Sequence, residues 1–125
     1  MDIGKTKRYY ADLRNSDLCQ CDNCRIFYGK VKSAYPLVAE YLEGIGVDIE
    51  KPFELWSVEI SKGDKSGTDR MIMYPDAQYI VMGNCDSFIE TEICGVKISV
   101  TESHPVTDIK ENHFVIEASS FYLIR

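Results

Sequence analysis

The chain has 125 residues, of which 14 are basic and 20 acidic, for a formal net charge of −6 at neutral pH. An apolar content of 45% with 27% charged residues excludes a wholly disordered chain, and the length suits a single domain over residues 1–125. The acid excess argues against a nucleic-acid partner, because such proteins take most of their affinity from Lys and Arg against phosphate.

Lys5, Lys7, Arg8 and Arg14 make the densest basic stretch, but Asp2 and Asp12 sit among them, so it reads as a solvated terminal segment. No run approaches the roughly 18 apolar residues that cross a bilayer, and residues 1–7 do not resemble a secretory signal. Five cysteines cannot all pair within one chain. The expectation is a cytoplasmic protein, away from membranes, whose cysteines are reduced thiols or metal thiolates.

Helical spacing dominates residues 1–55. Asp22 or Asn23 can cap a helix beginning beside Cys24, through a side-chain oxygen that accepts an unpaired backbone N–H. Ile26, Phe27, Val31, Ala34 and Tyr35 then recur at intervals of three and four as one apolar stripe. Pro36 cannot continue that helix unbroken but favours the first position of a new one. A second helix over Pro36–Leu42 presents Leu37, Val38, Tyr41 and Leu42, and Gly44 and Gly46 stop it. One kinked helix fits as well as two, and Val47–Leu55 reads as a connector.

From Trp56 onward the period is that of strands. Trp56, Val58 and Ile60 alternate with polar residues, as in a strand with one buried face. Lys62–Thr68 has hairpin-loop chemistry. Arg70–Tyr74 and Ala77–Met82 read as two strands joined at Pro75-Asp76, the second apolar on both faces and therefore central. A two-residue turn at Cys94-Gly95 sets Ile93 opposite Val96, Thr91 opposite Ile98 and Ile89 opposite Val100. It also sets Glu92 opposite Lys97. Cysteine is a poor first residue for such a turn, so a bulged turn around Gly95 is the alternative. Phe114–Ala118 and Phe121–Ile124 close the chain as a last strand, with a break or bulge within it at Ser119-Ser120. The order predicts an α+β fold: an N-terminal helical hairpin, or a kinked helix, on an antiparallel sheet or small sandwich of five to seven strands over residues 56–125.

Cys19, Cys21 and Cys24 place three thiols within six residues. A spacing of three lets Cys21 and Cys24 converge at the first turn of a helix, and C-x-x-C spacing suits tetrahedral zinc at about 2.3 Å from sulfur. Cys85, Cys94, His104 and His113 are candidates for a fourth ligand, and spacing does not choose among them. Two other readings stay open. The thiols can be small buried apolar groups. Alternatively, Cys21 or Cys24 can be a redox or nucleophilic thiol activated by a helix N-terminus, with Asp22 opposing the thiolate and Arg25 partly offsetting it.

The remaining signals are weaker. His104 and His113 read as solvated loop residues, Glu90 and Glu92 as an exposed sheet face, and Met71, Met73 and Met82 as sheet packing. No nucleophile elbow or phosphate loop is present. Eight tyrosines leave room for a protein partner or a second copy of the chain. A sheet pocket lined by Trp56, Tyr74 and Tyr79 is a third functional reading.

Arg8-Tyr9-Tyr10-Ala11-Asp12-Leu13-Arg14, Cys19-Gln20-Cys21-Asp22-Asn23-Cys24, Tyr35-Pro36 and the Gly46–Trp56 stretch GVDIEKPFELW together resemble a group of small uncharacterised bacterial proteins. The resemblance covers the first half of the chain and implies a bacterial, cytoplasmic protein. No activity is established for that group, so no catalytic residue carries over. The combined expectation is a non-enzymatic binding or interaction domain whose cysteine segment zinc can fasten, with a thiol enzyme as the alternative.

Overall fold

The computed structural model describes residues 1–60 and 71–124, except for the side chain of Asn15. Three helices come first: α1 (Ile3–Asp12), α2 (Asp22–Ala34) and α3 (Pro36–Gly44), with a 3-10 turn at Asn15–Asp17. Six strands follow: β1 (Glu54–Ile60), β2 (Met71–Met82), β3 (Thr91–Ile93), β4 (Val96–Thr101), β5 (His113–Ser119) and β6 (Phe121–Ile124). They form one antiparallel sheet in the order β1-β2-β5-β4-β3, and β6 also pairs with β2. The expected α+β class is therefore observed. The hairpin loop expected over residues 62–68 lies outside the described residues.

Lys5, Lys7, Arg8 and Arg14 are solvent-exposed as expected, but the segment that carries the first three is a helix docked on the sheet by its opposite face. Asp2 caps α1 by accepting the Lys5 amide N–H at 3.0 Å. Asp2, Thr6 and Tyr10 recur every four residues and so share one face. That face meets an edge of β2, because β1 pairs with β2 no further than Gln78 and leaves Ile80 and Met82 without a strand partner on the side away from β5. Tyr10 Oη donates to the Ile80 carbonyl oxygen (2.8 Å) and accepts from the Ile80 amide (2.9 Å). Thr6 Oγ1 accepts from the Met82 amide (3.0 Å), and the Asp2 amide donates to the Met82 carbonyl (2.8 Å). Every backbone group along this edge is thus satisfied, as burial requires.

Close approach of α1 depends on Gly46. Its φ is +87°, and a Cβ there would lie 2.8 Å from the Ile3 carbonyl oxygen. Lys51 Nζ closes the far end of the helix, donating to the carbonyls of Tyr10 and Leu13 at 2.9 Å each.

The second and third helices are separate, with Tyr35 ending one and Pro36 opening the next. Phe27, Val31, Val38 and Leu42 are fully buried against the sheet, while Ala34 and Leu37 of the expected stripes face solvent. Phe27 packs edge-on to Phe121 and tilted against Tyr74, with ring centroids 5.5 and 5.0 Å apart.

Pro75-Asp76 does not separate two strands, because β2 runs through it. The side-chain phase does slip there: Ile72 and Tyr74 face the helices before it, and Ala77, Tyr79 and Val81 after it. The neighbouring line slips at Ser119-Ser120, from Ile116 and Ala118 to Phe121 and Leu123. These slips lie opposite one another, between the pairs Tyr74–Phe121 and Ala77–Ala118. Pro75, lacking an N–H, sits where the ladder changes partner from β6 to β5, so it interrupts no bond. The second half of β2 is buried and central as expected: Ala77 and Gln78 lie between β1 and β5, and from Tyr79 onward α1 takes the place of β1.

The alternation in β1 is real, but its apolar face points away from the helices. Trp56 and Val58 are 42% and 48% exposed, and Leu55 packs on the core instead. Val58 and Tyr122 flank Met73, and Ile60 and Ile124 flank Met71, so an apolar strip runs across β1, β2 and β6. The expected burial of Met82 is found, whereas Met71 and Met73 are half-buried on this open face.

The β3–β4 hairpin has the expected register, Ile93–Val96 and Thr91–Ile98, but the ladder ends at Thr91 and leaves Ile89 79% exposed. Cys94 (φ 51°) and Gly95 (φ 80°) are both left-handed, which makes the tight two-residue turn rather than the bulged one. Lys97 lies opposite Glu92 but pairs with Glu90 at 2.8 Å. Among the described residues no helix is long and apolar enough to cross a membrane.

Candidate metal centre

Cys19 and Cys21 lie on the segment entering α2, and Cys24 lies in its first turn. The helix starts one residue earlier than the Asp22 or Asn23 cap predicted, because Cys21 itself is the N-cap. Its Sγ accepts the Cys24 amide N–H at 3.4 Å. The segment is anchored to the sheet through the next residue along. Tyr74 Oη donates to the Asn23 carbonyl at 2.6 Å, and Asn23 Nδ2 donates to Ser57 Oγ at 3.1 Å.

The three sulfur atoms all lie within 4.8 Å of one another. Cys24 is buried, whereas Cys19 and Cys21 are exposed. The Cys24 thiol and amide both donate to Cys21, and these bonds favour its thiolate and lower its pKa. Burial pushes the Cys24 thiol up, and its hydrogen bonds to Cys21 and Cys19 hold its proton in place. Tyr28 is raised by burial and by the neighbouring cysteines, Cys24 first. Hydrogen bonding at the helix start, rather than Asp22 or Arg25, sets the chemistry of Cys21, and burial that of Cys24.

Comparison with protein-family models, with curated proteins and with solved structures finds no match to this chain. Its chemistry has to be read from the geometry.

Among the described residues no histidine, carboxylate or further cysteine joins the three thiols. Cys94 sits in the β3–β4 turn and Cys85 is exposed after β2. The His104 ring meets the Pro105 carbonyl (2.8 Å), and the His113 ring bridges Thr107 Oγ1 (2.6 Å) and the Glu111 carbonyl (2.7 Å). None of the four candidate fourth ligands reaches the cluster. A groove of about 400 Å³ lies beside it, lined by Leu18, Gln20, Arg25, Tyr28, Glu50 and Lys51. Three converging sulfurs can hold a soft ion and leave one coordination place toward solvent.

The pocket imagined between Trp56, Tyr74 and Tyr79 does not form. Tyr74 and Tyr79 are fully buried on the helix side, their hydroxyls donating to Asn23 and Ile49, and Trp56 lies on the opposite face. Sequence reasoning missed Cys21 as a cap and Tyr28 as a neighbour. The four-residue step from Cys24 to Tyr28 was the available signal for the latter.

Proposed function

We propose that Cys19, Cys21 and Cys24 bind one zinc ion as thiolates, and that the metal clasps the N-terminal segment of a non-enzymatic, cytoplasmic binding domain. Convergence of three Sγ atoms within 4.8 Å carries this reading. Thiolates select zinc over hard ions such as magnesium. The ion displaces the thiol protons, that of Cys24 above all, and offsets the mutual repulsion of the thiolates. With three protein ligands, the fourth place falls to water, a small ligand or a partner's side chain. The open strip of Trp56, Val58, Tyr122 and Ile124 offers a surface to a protein partner or a second copy of the chain.

Cobalt substitution tests the site. Reduced, metal-free protein titrated with Co²⁺ is expected to show the sulfur-to-cobalt charge-transfer band of a tetrahedral thiolate site. The band should saturate near one equivalent, vanish on zinc addition and be absent from Cys24→Ser. A spectrum that stays that of hexa-aqua cobalt overturns the proposal.

A second reading rests on the lowered pKa and exposure of Cys21, which fit a nucleophilic or redox thiol with Cys24 as its neighbour. In metal-free protein, fast alkylation of Cys21 below neutral pH supports it, and uniformly slow alkylation removes its support.

A further inference from the structure

A second cluster of chemically capable side chains lies on the face of the sheet turned away from the helices, independent of the cysteines. Gln78 on β2 is directly opposite Glu117 on β5, and Asp76 is the next same-face residue along β2. Burial is the largest cause of a raised Asp76 pKa, and both neighbours also act on its carboxyl, Glu117 raising the pKa and Gln78 lowering it.

Gln78 is 1% exposed, which is exceptional for its type. Its Nε2 donates to the Ser103 carbonyl at 2.9 Å, which fixes which end of the amide is nitrogen. Its Oε1 has no donor among the described residues, and neither has the buried Oδ1 of Asp76. Buried acceptors left this way are destabilising, so two of them on same-face neighbours of one strand call for a ligand that satisfies both.

Its chemistry follows from the donor set. Two carboxylates and one amide oxygen are acceptors only, and no Lys or Arg among the described residues forms an ion pair with Asp76 or Glu117. Lys97, a cation near enough to feel Glu117, is held by Glu90 at 2.8 Å. Glu54 stands opposite Gln78 on β1 and adds negative potential. All-oxygen, anionic sets suit hard ions, and two carboxylates with waters completing the shell is a common arrangement for magnesium.

We propose that Asp76, Gln78 and Glu117 form a binding site for a hard divalent cation of the magnesium, calcium or manganese kind on the face of the sheet turned away from the helices. The cation accepts electron pairs from the unpartnered Asp76 and Gln78 oxygens and offsets the repulsion between the Asp76 and Glu117 carboxylates. Ligand hardness separates this site from the cysteine cluster, since thiolates discriminate against these ions.

Manganese provides the probe. In ¹⁵N-labelled wild-type protein, substoichiometric Mn²⁺ is expected to broaden the Gln78 side-chain amide and the backbone amides of residues 76–78 and 117 first. Mg²⁺ or Ca²⁺ in excess should reverse the broadening. Asp76→Asn and Glu117→Gln should each weaken Mn²⁺ binding at least tenfold, while Cys21→Ser leaves it unchanged. Absence of broadening at millimolar Mn²⁺, broadening centred elsewhere, or undiminished binding in folded Glu117→Gln overturns the proposal. The wild-type map decides even if a variant does not fold.

Discussion

The hydroxyl of Tyr10 makes both bonds that a neighbouring strand would make to Ile80, donating to its carbonyl at 2.8 Å and accepting from its amide at 2.9 Å. Tyr35 repeats the device at the other end of the sheet. Its hydroxyl accepts from the Tyr122 amide at 2.9 Å and faces the Tyr122 carbonyl at 3.4 Å. Tyrosines of the helical layer, one on α1 and one between α2 and α3, thus close two strand edges that would otherwise invite pairing with another chain.

Tyr10→Phe keeps the ring and orphans two buried backbone groups at about 1–3 kcal/mol each. We expect a loss of about 2–4 kcal/mol in urea unfolding with an unchanged m-value, and faster hydrogen exchange at the Ile80 amide. Tyr35→Phe, at an exposed edge where water can substitute, should cost under about 1 kcal/mol.

Gly46→Ala would push a methyl group to 2.8 Å from the Ile3 carbonyl oxygen and strain a left-handed backbone. The expected cost is about 1–3 kcal/mol. Protection of the amides in α1 should fall before that of α2, as hydrogen exchange can resolve.

Stability should fall as pH rises from about 4 to about 6. Burial and the neighbouring Glu117 carboxylate push the Asp76 carboxyl up to about 6, from an ordinary value near 3.8. Across that window the folded chain binds a proton that the unfolded chain has released, so this contribution is complete below the window and lost above it. Urea midpoints measured at intervals from pH 4 to 7 with chelator present should show this decline. Asp76→Asn should flatten it.

Serine is a good N-cap and a poor zinc ligand, so Cys21→Ser separates the two roles of that residue. In metal-free protein the substitution should change stability by less than about 1 kcal/mol, because the cap survives. Zinc should stabilise the wild type against heat and leave Cys21→Ser unmoved. Cys21→Ala should lose the cap as well.

The elements with strong periodicity were legible in the sequence. Phe27 and Val31 at a spacing of four, and the Ile93–Val96 pairing across Cys94-Gly95, carried their own registers. Pro75 misled because a proline inside a strand pattern normally ends it. Here the partner strand slips at the same level, a tertiary coincidence that no local pattern encodes. Trp56 and Val58 misled because alternation reveals a strand face without saying which side the helices cover. The burial of Gln78 and its meeting with Glu117 depend on pairing residues far apart in the chain. The cysteine cluster was visible as a spacing, but the capping role of Cys21 required the helix start to within one residue.

The central claim, that Cys19, Cys21 and Cys24 hold zinc, is tested most directly by the metal content of untagged protein purified under reducing conditions. Elemental mass spectrometry should find about one zinc per chain in the wild type and none in Cys21→Ser or Cys24→Ser. Wild-type protein that carries no zinc, and gains no thermal stability when zinc is added to the reduced chain, would contradict it.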